Sequence, residues 1–323
     1  MATRKTYIAI LAVGGIAAAL AGCGGGRSSD TGAASTAANA DTSLKGTIVI
    51  DGSSTVAPLA TLAAEKFQAT APNVQVTVGT SGTGGGFEKF CNGETDVSNA
   101  SRAIKDEEKA ICDDKGITYK ELLVANDGIA LVVNKENTWA SCLTVDQLAT
   151  IWGPDSKAAS WKDVDPAFPD VPLKLYGPGT DSGTFDFFTK AINGEEGASR
   201  TDYSPSEDDN VTIKGVEGEK GGLGYFGLSY YEQNKDQLNL VQVDGGSGCV
   251  APDQTTVQDG SYAPLSRPLY MYFSDKADQR PEVQAFAQYY ADNEPTLTTD
   301  ALFVPLSDEQ AATMKDEVAK LAG

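Results

Sequence analysis

Three short stretches share one chemistry: Ser53-Ser54-Thr55, Thr80 through Gly86, and Thr180 through Thr184. Their hydroxyls can donate hydrogen bonds without carrying charge. The last two stretches also hold glycines, which let a backbone come close to a ligand. If each sits where a helix begins, the hydroxyls join unpaired backbone N–H groups at the positive end of the helix macrodipole. Such a turn is suited to an anion. A single one reads equally well as an ordinary Ser or Thr helix cap, but three in one chain favour a shared ligand. None fits GxxxxGK[ST], because no Lys directly follows the glycines, and this argues against a nucleotide P-loop. Asp96-Val97-Ser98-Asn99-Ala100-Ser101-Arg102 adds a cation. Arg102 either grips an oxyanion through two parallel hydrogen bonds or forms a surface ion pair with Asp106 or Glu107.

The surrounding patterns place these turns on an α/β framework. Thr47-Ile48-Val49-Ile50 reads as a strand that enters the first turn, and Leu59, Leu62, Ala63 and Phe67 then follow at helical spacing. Val74, Val76 and Val78 alternate as a second strand before the second turn, and Phe87 and Phe90 begin the next helix. Gly128 to Val133, Leu173 to Tyr176, Leu238 to Val243 and Leu269 to Phe273 read as further strands. Thr144 with Gln147 and Ser307 with Gln310 have capping-box spacing. Residues 193–221 are polar and turn-rich and are expected at the surface. Strand, turn, helix in repetition predicts a largely parallel sheet, and ligands of such sheets bind at the carboxyl ends of strands, where these turns lie.

Composition narrows the function. The chain carries a formal charge of −20 and contains no histidine. An acidic surface argues against nucleic acid as a partner. Without histidine, Ser-His-Asp and Cys-His catalysis are excluded. Arg4 and Lys5 precede an apolar run from Tyr7 to Leu20 that is short for a membrane span and ends in Leu20-Ala21-Gly22-Cys23. This resembles a bacterial lipoprotein leader (residues 1–22), which implies cleavage before Cys23 and lipidation there; a plain secretory signal is the other reading. Residues 23–45 are small and polar and read as a flexible tether with a reach of roughly 25 Å. Of five cysteines, Cys91, Cys112, Cys142 and Cys249 remain, an even number for an exported chain. Three pairings are possible; Cys91–Cys112 and Cys142–Cys249 are favoured, the first as local and the second as lying within one lobe. With no CxxC and no histidine, no metal site is expected, nor any cofactor.

Several segments carry a family resemblance: Asp51-Gly52-Ser53-Ser54-Thr55-Val56, Ser81-Gly82-Thr83-Gly84-Gly85, Asp96 to Arg102, and Gly177-Pro178-Gly179-Thr180-Asp181-Ser182-Gly183-Thr184-Phe185. They resemble the signature segments of phosphate-binding proteins of bacterial phosphate ABC transporters. Gly221 to Tyr225 and Arg267-Pro268-Leu269-Tyr270 resemble later segments in the family's order. The resemblance implies a two-lobed α/β fold of the type II periplasmic-binding-protein class, with mixed, mainly parallel sheets and a ligand cleft between the lobes. It places lobe 1 at 46–125 and 265–323 and lobe 2 at 126–264, with crossovers near Val124 to Gly128 and Tyr262 to Pro268.

Carried over by position, Ser54, Thr55 and the backbone of Val56 form the first ligand turn, and Thr83 with Ser81 the second. Ser101 and Arg102 form the third, and Ser182, Gly183 and Thr184 the fourth. Two positions depart from the family. Many members place an Arg four residues before the Ser of the fourth turn; here that residue is Pro178, which leaves Arg102 as the expected cation. Some members place an Asp where Ser101 stands, to accept the proton of bound phosphate and reject sulfate. Asp181 is the candidate replacement, and a helix cap for 182–192 is its other reading. The implied function is capture of inorganic phosphate by a monomer tethered to the membrane and its delivery to an ABC permease, with no bond broken. The alternatives are another oxyanion (sulfate, molybdate or arsenate), a secreted hydrolase using Ser182, or an adhesive surface lipoprotein.

Overall fold

A computed structural model describes residues 40–321, so the leader, Cys23 and the tether up to residue 39 lie outside the described residues. The described strands are β1 (Gly46–Gly52), β2 (Val74–Val78), β3 (Val97–Ala100), β4 (Tyr119–Asn134), β5 (Cys142–Thr144), β6 (Lys174–Gly177), β7 (Ser204–Pro205), β8 (Gly222–Gly227), β9 (Leu238–Asp244), β10 (Cys249–Val250) and β11 (Ser266–Ser274). Along the sheet they run β2-β1-β3-β11-β4-β8-β6-β7, with β9 also on β4, and β5 and β10 on β9. The pairs β1–β2, β1–β3, β6–β7 and β6–β8 are parallel, whereas β11 pairs antiparallel with β3 and β4, and β4 antiparallel with β8.

β4 makes the molecule two-lobed. Its first part, as far as Gly128, pairs with β11, whereas Ile129 to Asn134 pair with β8 and β9. Each part rests on its own core, and the two cores share no residue. In lobe 1, Ile48 and Ile50 of β1 pack against Leu59, Ala60, Ala63 and Phe67 of the Ala57–Thr70 helix, spaced to keep one apolar face inward. In lobe 2, Trp152 meets Phe188, Tyr203 and Tyr225 edge-on, and Phe188 stacks on Tyr225 at 3.9 Å between centroids. A third segment covers the crossing: Asn126 and Val304 exchange backbone hydrogen bonds of 2.9 Å, and the Asn126 and Gln310 side-chain amides pair in both directions.

Local signals account for many helix starts. Thr144 caps its helix with Gln147 reaching back, and Ser307 does the same with Gln310, as the spacing predicts. The stretch 193–221 differs from expectation: it contains a helix, Asp209–Gly218, capped by Asp208. Only Thr212, Ile213 and Val216 of that helix are buried, an apolar stripe too thin to stand out in sequence. Cys91 is joined to Cys112 and Cys142 to Cys249. The first bridge links the helix after the second turn to the helix after Arg102, and the second joins β5 to β10 on either side of β9. No helix among the described residues is long and apolar enough to cross a membrane.

Candidate functional site

The first three turns lie side by side because β1 pairs in parallel with both β2 and β3, which brings their carboxyl ends together. Ser53 donates its backbone N–H to Asn99 O at 2.9 Å, fixing the exit of β1 to β3. Ser54 is exposed, Thr55 half-buried, and Val56 stands at the N-cap of the following helix with no side-chain capping bond. Gly86 faces the Gly52 backbone so closely that any side chain there would collide with the Gly52 Cα. Thr83 and Ser101 join turns two and three: their hydroxyls lie 3.1 Å apart, and the Ser101 N–H donates to Thr83 Oγ1 at 3.2 Å.

The fourth turn follows β6 in lobe 2. Ser182 is the N-cap of the Gly183–Asn193 helix, its Oγ accepting the Thr184 N–H at 3.2 Å. It bonds no carboxylate or Lys side chain among the described residues. Gly183 faces Thr55 across the cleft; a Cβ built on Gly183 would lie 2.5 Å from Thr55 Oγ1.

Three expected ligand residues are placed differently. Arg102 forms a fork-to-fork pair with Glu108 at 2.7 and 2.8 Å, a partner distinct from the Asp106 and Glu107 of the alternative reading. Glu108 reaches it because it lies on the first turn of the Asp106–Asp114 helix, where it also accepts the Lys105 N–H. Ser81 is spent on Asp51, which accepts both its N–H and its hydroxyl. Asp181 is exposed, and Ser182 rather than Asp181 caps the helix, because the chain turns helical one residue later than a cap at Asp181 requires.

The cation in the cleft is Arg267, at the start of β11. Its Nη2 donates to Thr55 Oγ1 at 3.1 Å and to Gly183 O at 3.4 Å, joining a turn of each lobe. Nε and Nη2 both lie 3.0 Å from Asp127 Oδ2 on β4. The guanidinium sits 3.9 Å from the centroid of the Phe187 ring, a cation–π arrangement. Both charged side chains are largely buried, at 14% and 10% exposure. Nη1 makes no hydrogen bond to any described residue, which leaves one edge of the fork open. Asp186, on the first turn of the same helix as Phe187, has its carboxyl pushed above the usual range by burial and by Glu196, with Arg267 opposing. Sequence reasoning recognised Arg267-Pro268 as a segment and Asp127 as part of a crossover, but not that the two crossovers meet. The available signal was two opposite charges, one in each crossover of a predicted hinge.

Residues 34–294 match the model of the PBP superfamily domain. The chain is 47% identical over 262 residues to Protein SphX of Synechococcus elongatus, covering 80% of this chain and 77% of the relative. It is 43% identical over 307 residues to the phosphate-binding protein PstS of Staphylococcus saprophyticus, covering 93% and 91%. Among solved structures it resembles a possible phosphate-binding protein from Planctomyces limnophilus with a TM-score of 0.83 and 42% identity, covering 87% of this chain and all of that one.

Proposed function

The chain belongs to the PBP superfamily and, within it, to the phosphate-binding PstS and SphX proteins, and from this premise we propose that it captures inorganic phosphate in the cleft between its lobes and passes it to an ABC permease. The observation that carries the reading is Arg267: a buried cation with one open edge, bridging hydroxyl-bearing turns of both lobes. A phosphate there meets Thr55, Thr83, Ser101, Ser182 and Thr184, the backbone of Val56 and Gly183, and Ser54 at the rim. Arg267 takes the place given to Arg102, and Asp127 the place given to Asp181. A buried carboxylate gains a charge-assisted hydrogen bond from a P–OH and repels an oxyanion with no proton. Support for Asp127 comes from its burial and its position against Arg267.

Calorimetric titration against phosphate, arsenate, sulfate and molybdate tests the reading. Phosphate binds at least about a hundredfold tighter than sulfate, and Asp127→Asn narrows that gap by about tenfold or more. Equal binding of sulfate by the parent protein would overturn the assignment of phosphate. An unchanged ratio in the variant would overturn the role of Asp127. Gly183→Ala adds a methyl against Thr55 and weakens phosphate by about 10- to 100-fold with little change in Tm, since overpacking of this kind costs ~1–3 kcal/mol.

Lipidation of Cys23 holds the protein at the outer face of the membrane on its tether. This reading is supported by the Leu20-Ala21-Gly22-Cys23 sequence and by the pairing of the other four cysteines among themselves. The protein works as a monomer. The proposed lobes are 46–125 with 265–323 and 126–264, and the change of partners along β4 after Gly128 supports a crossover in this region.

A further inference from the structure

We propose that Asp51 is a positioning residue for the binding site: its carboxylate clamps the first ligand turn to the second and keeps the start of the second helix open to the ligand. The proposal rests on the phosphate reading given above. Asp51 is the penultimate residue of β1 and touches both turns. Oδ1 accepts the Gly52 N–H at 2.7 Å, the Ser81 N–H at 2.9 Å and the Ser81 hydroxyl at 2.7 Å. Oδ2 accepts Lys89 Nζ at 2.6 Å, from the last turn of the helix that Ser81 precedes. A side chain on Gly79 would run into this carboxylate, so the strand leaving β2 is shaped around it. Burial opposes the charge, yet Lys89, the Ser81 hydroxyl and amide and the Gly52 amide outweigh it and lower the carboxyl to about 2.

The consequence for binding lies in what Ser81 does not do. It occupies the N-cap position of the Gly82–Cys91 helix, where a Ser hydroxyl ordinarily accepts an N–H from the first turn. Here the hydroxyl donates to Asp51 and makes no capping bond. The first N–H groups of the helix, at Gly82, Thr83 and Gly84, are thus left for another acceptor. Around Gly82 and Gly84 there is open space where a Cβ would stand. Thr83, in the same turn, reaches Ser101, so the clamp also sets the second pair of turns. A bare carboxylate this close would repel an anion; Lys89 neutralises it while leaving its geometry in place.

Three variants test the clamp: Asp51→Ala, Asp51→Asn and Lys89→Met. Asp51→Asn keeps an acceptor oxygen for Gly52 and Ser81, whereas Asp51→Ala keeps none. Phosphate affinity by calorimetry falls about 30-fold or more in Asp51→Ala and by less than about fivefold in Asp51→Asn. Lys89→Met, which leaves an unneutralised carboxylate beside the site, weakens phosphate in a manner that added salt relieves. The ligand-free protein gives an independent readout. The amide resonances of Ser81 and Thr83 shift in Asp51→Ala and remain near their parent positions in Asp51→Asn. Equal losses of affinity in Asp51→Ala and Asp51→Asn, or unmoved Ser81 and Thr83 resonances in Asp51→Ala, would overturn the proposal. If the parent protein bound no phosphate, the phosphate reading would fail while the resonances still reported on the clamp.

Discussion

Arg267→Ala lowers phosphate affinity by about a thousandfold, whereas Arg102→Ala lowers it by less than about tenfold. The difference follows from what each guanidinium does. Arg102 is a third exposed and occupied by Glu108, and pairs of that kind contribute ~0–1 kcal/mol. Arg267 is buried, shares Asp127, and touches Thr55 and Gly183 at once. Removing it takes away the cation and leaves Asp127 unpaired in the cleft, and losing one partner of a buried, hydrogen-bonded charge pair costs ~2–5 kcal/mol. At ~1.4 kcal/mol per decade, the upper part of that range is about three decades of Kd. Arg267→Lys falls between the two, because a lysine keeps the charge but cannot fork to Asp127 and Thr55 together. Calorimetry on the three variants measures this order, and a larger loss in Arg102→Ala than in Arg267→Ala would return the cation role to Arg102.

The second large effect is on stability. Cys142 and Cys249 are 107 residues apart, and in the chain-entropy account a bridge closing a loop of this length stabilises by ~4–5 kcal/mol. The Cys142→Ser/Cys249→Ser double variant therefore melts about 10 °C lower. The loss is visible in intrinsic fluorescence, because Trp139, Trp152 and Trp161 all belong to the lobe 2 core. Cys91→Ser/Cys112→Ser opens a loop of only 21 residues, a smaller change of ~3 kcal/mol. That loop contains β3, Ser101 and Arg102, so the second variant loses phosphate affinity more than the first. Thermal denaturation and titration of both variants check the two halves of this expectation. Equal melting temperatures in the two would contradict the loop-length argument.

The residues that could be assigned in advance are those whose role is local. Thr144 and Ser307 cap their helices through partners three residues away, whereas the cap read at Asp181 falls one residue later, on Ser182. Such pairs are set by backbone geometry over a single turn and leave a readable spacing. The contacts that spacing does not disclose are those between distant residues. Ser81 is taken by Asp51 across 30 positions, and Arg267 meets Asp127 across 140. Arg102 has three acidic neighbours in sequence, and only the fold selects Glu108 among them as its partner.

By itself the sequence determined the class of chemistry: neutral donors on helix-starting turns, no histidine, and an acidic chain that must bind its anion locally rather than through global charge. It also determined the strand–turn–helix order that places those turns at the carboxyl ends of strands. The tertiary structure alone decided where the positive charge sits. Segments far apart in sequence meet at the hinge, where the Arg267–Asp127 pair is largely buried and the guanidinium reaches Thr55 and Gly183 as well. Burial and proximity across a hinge are properties of the folded chain, and no spacing in a linear sequence encodes them.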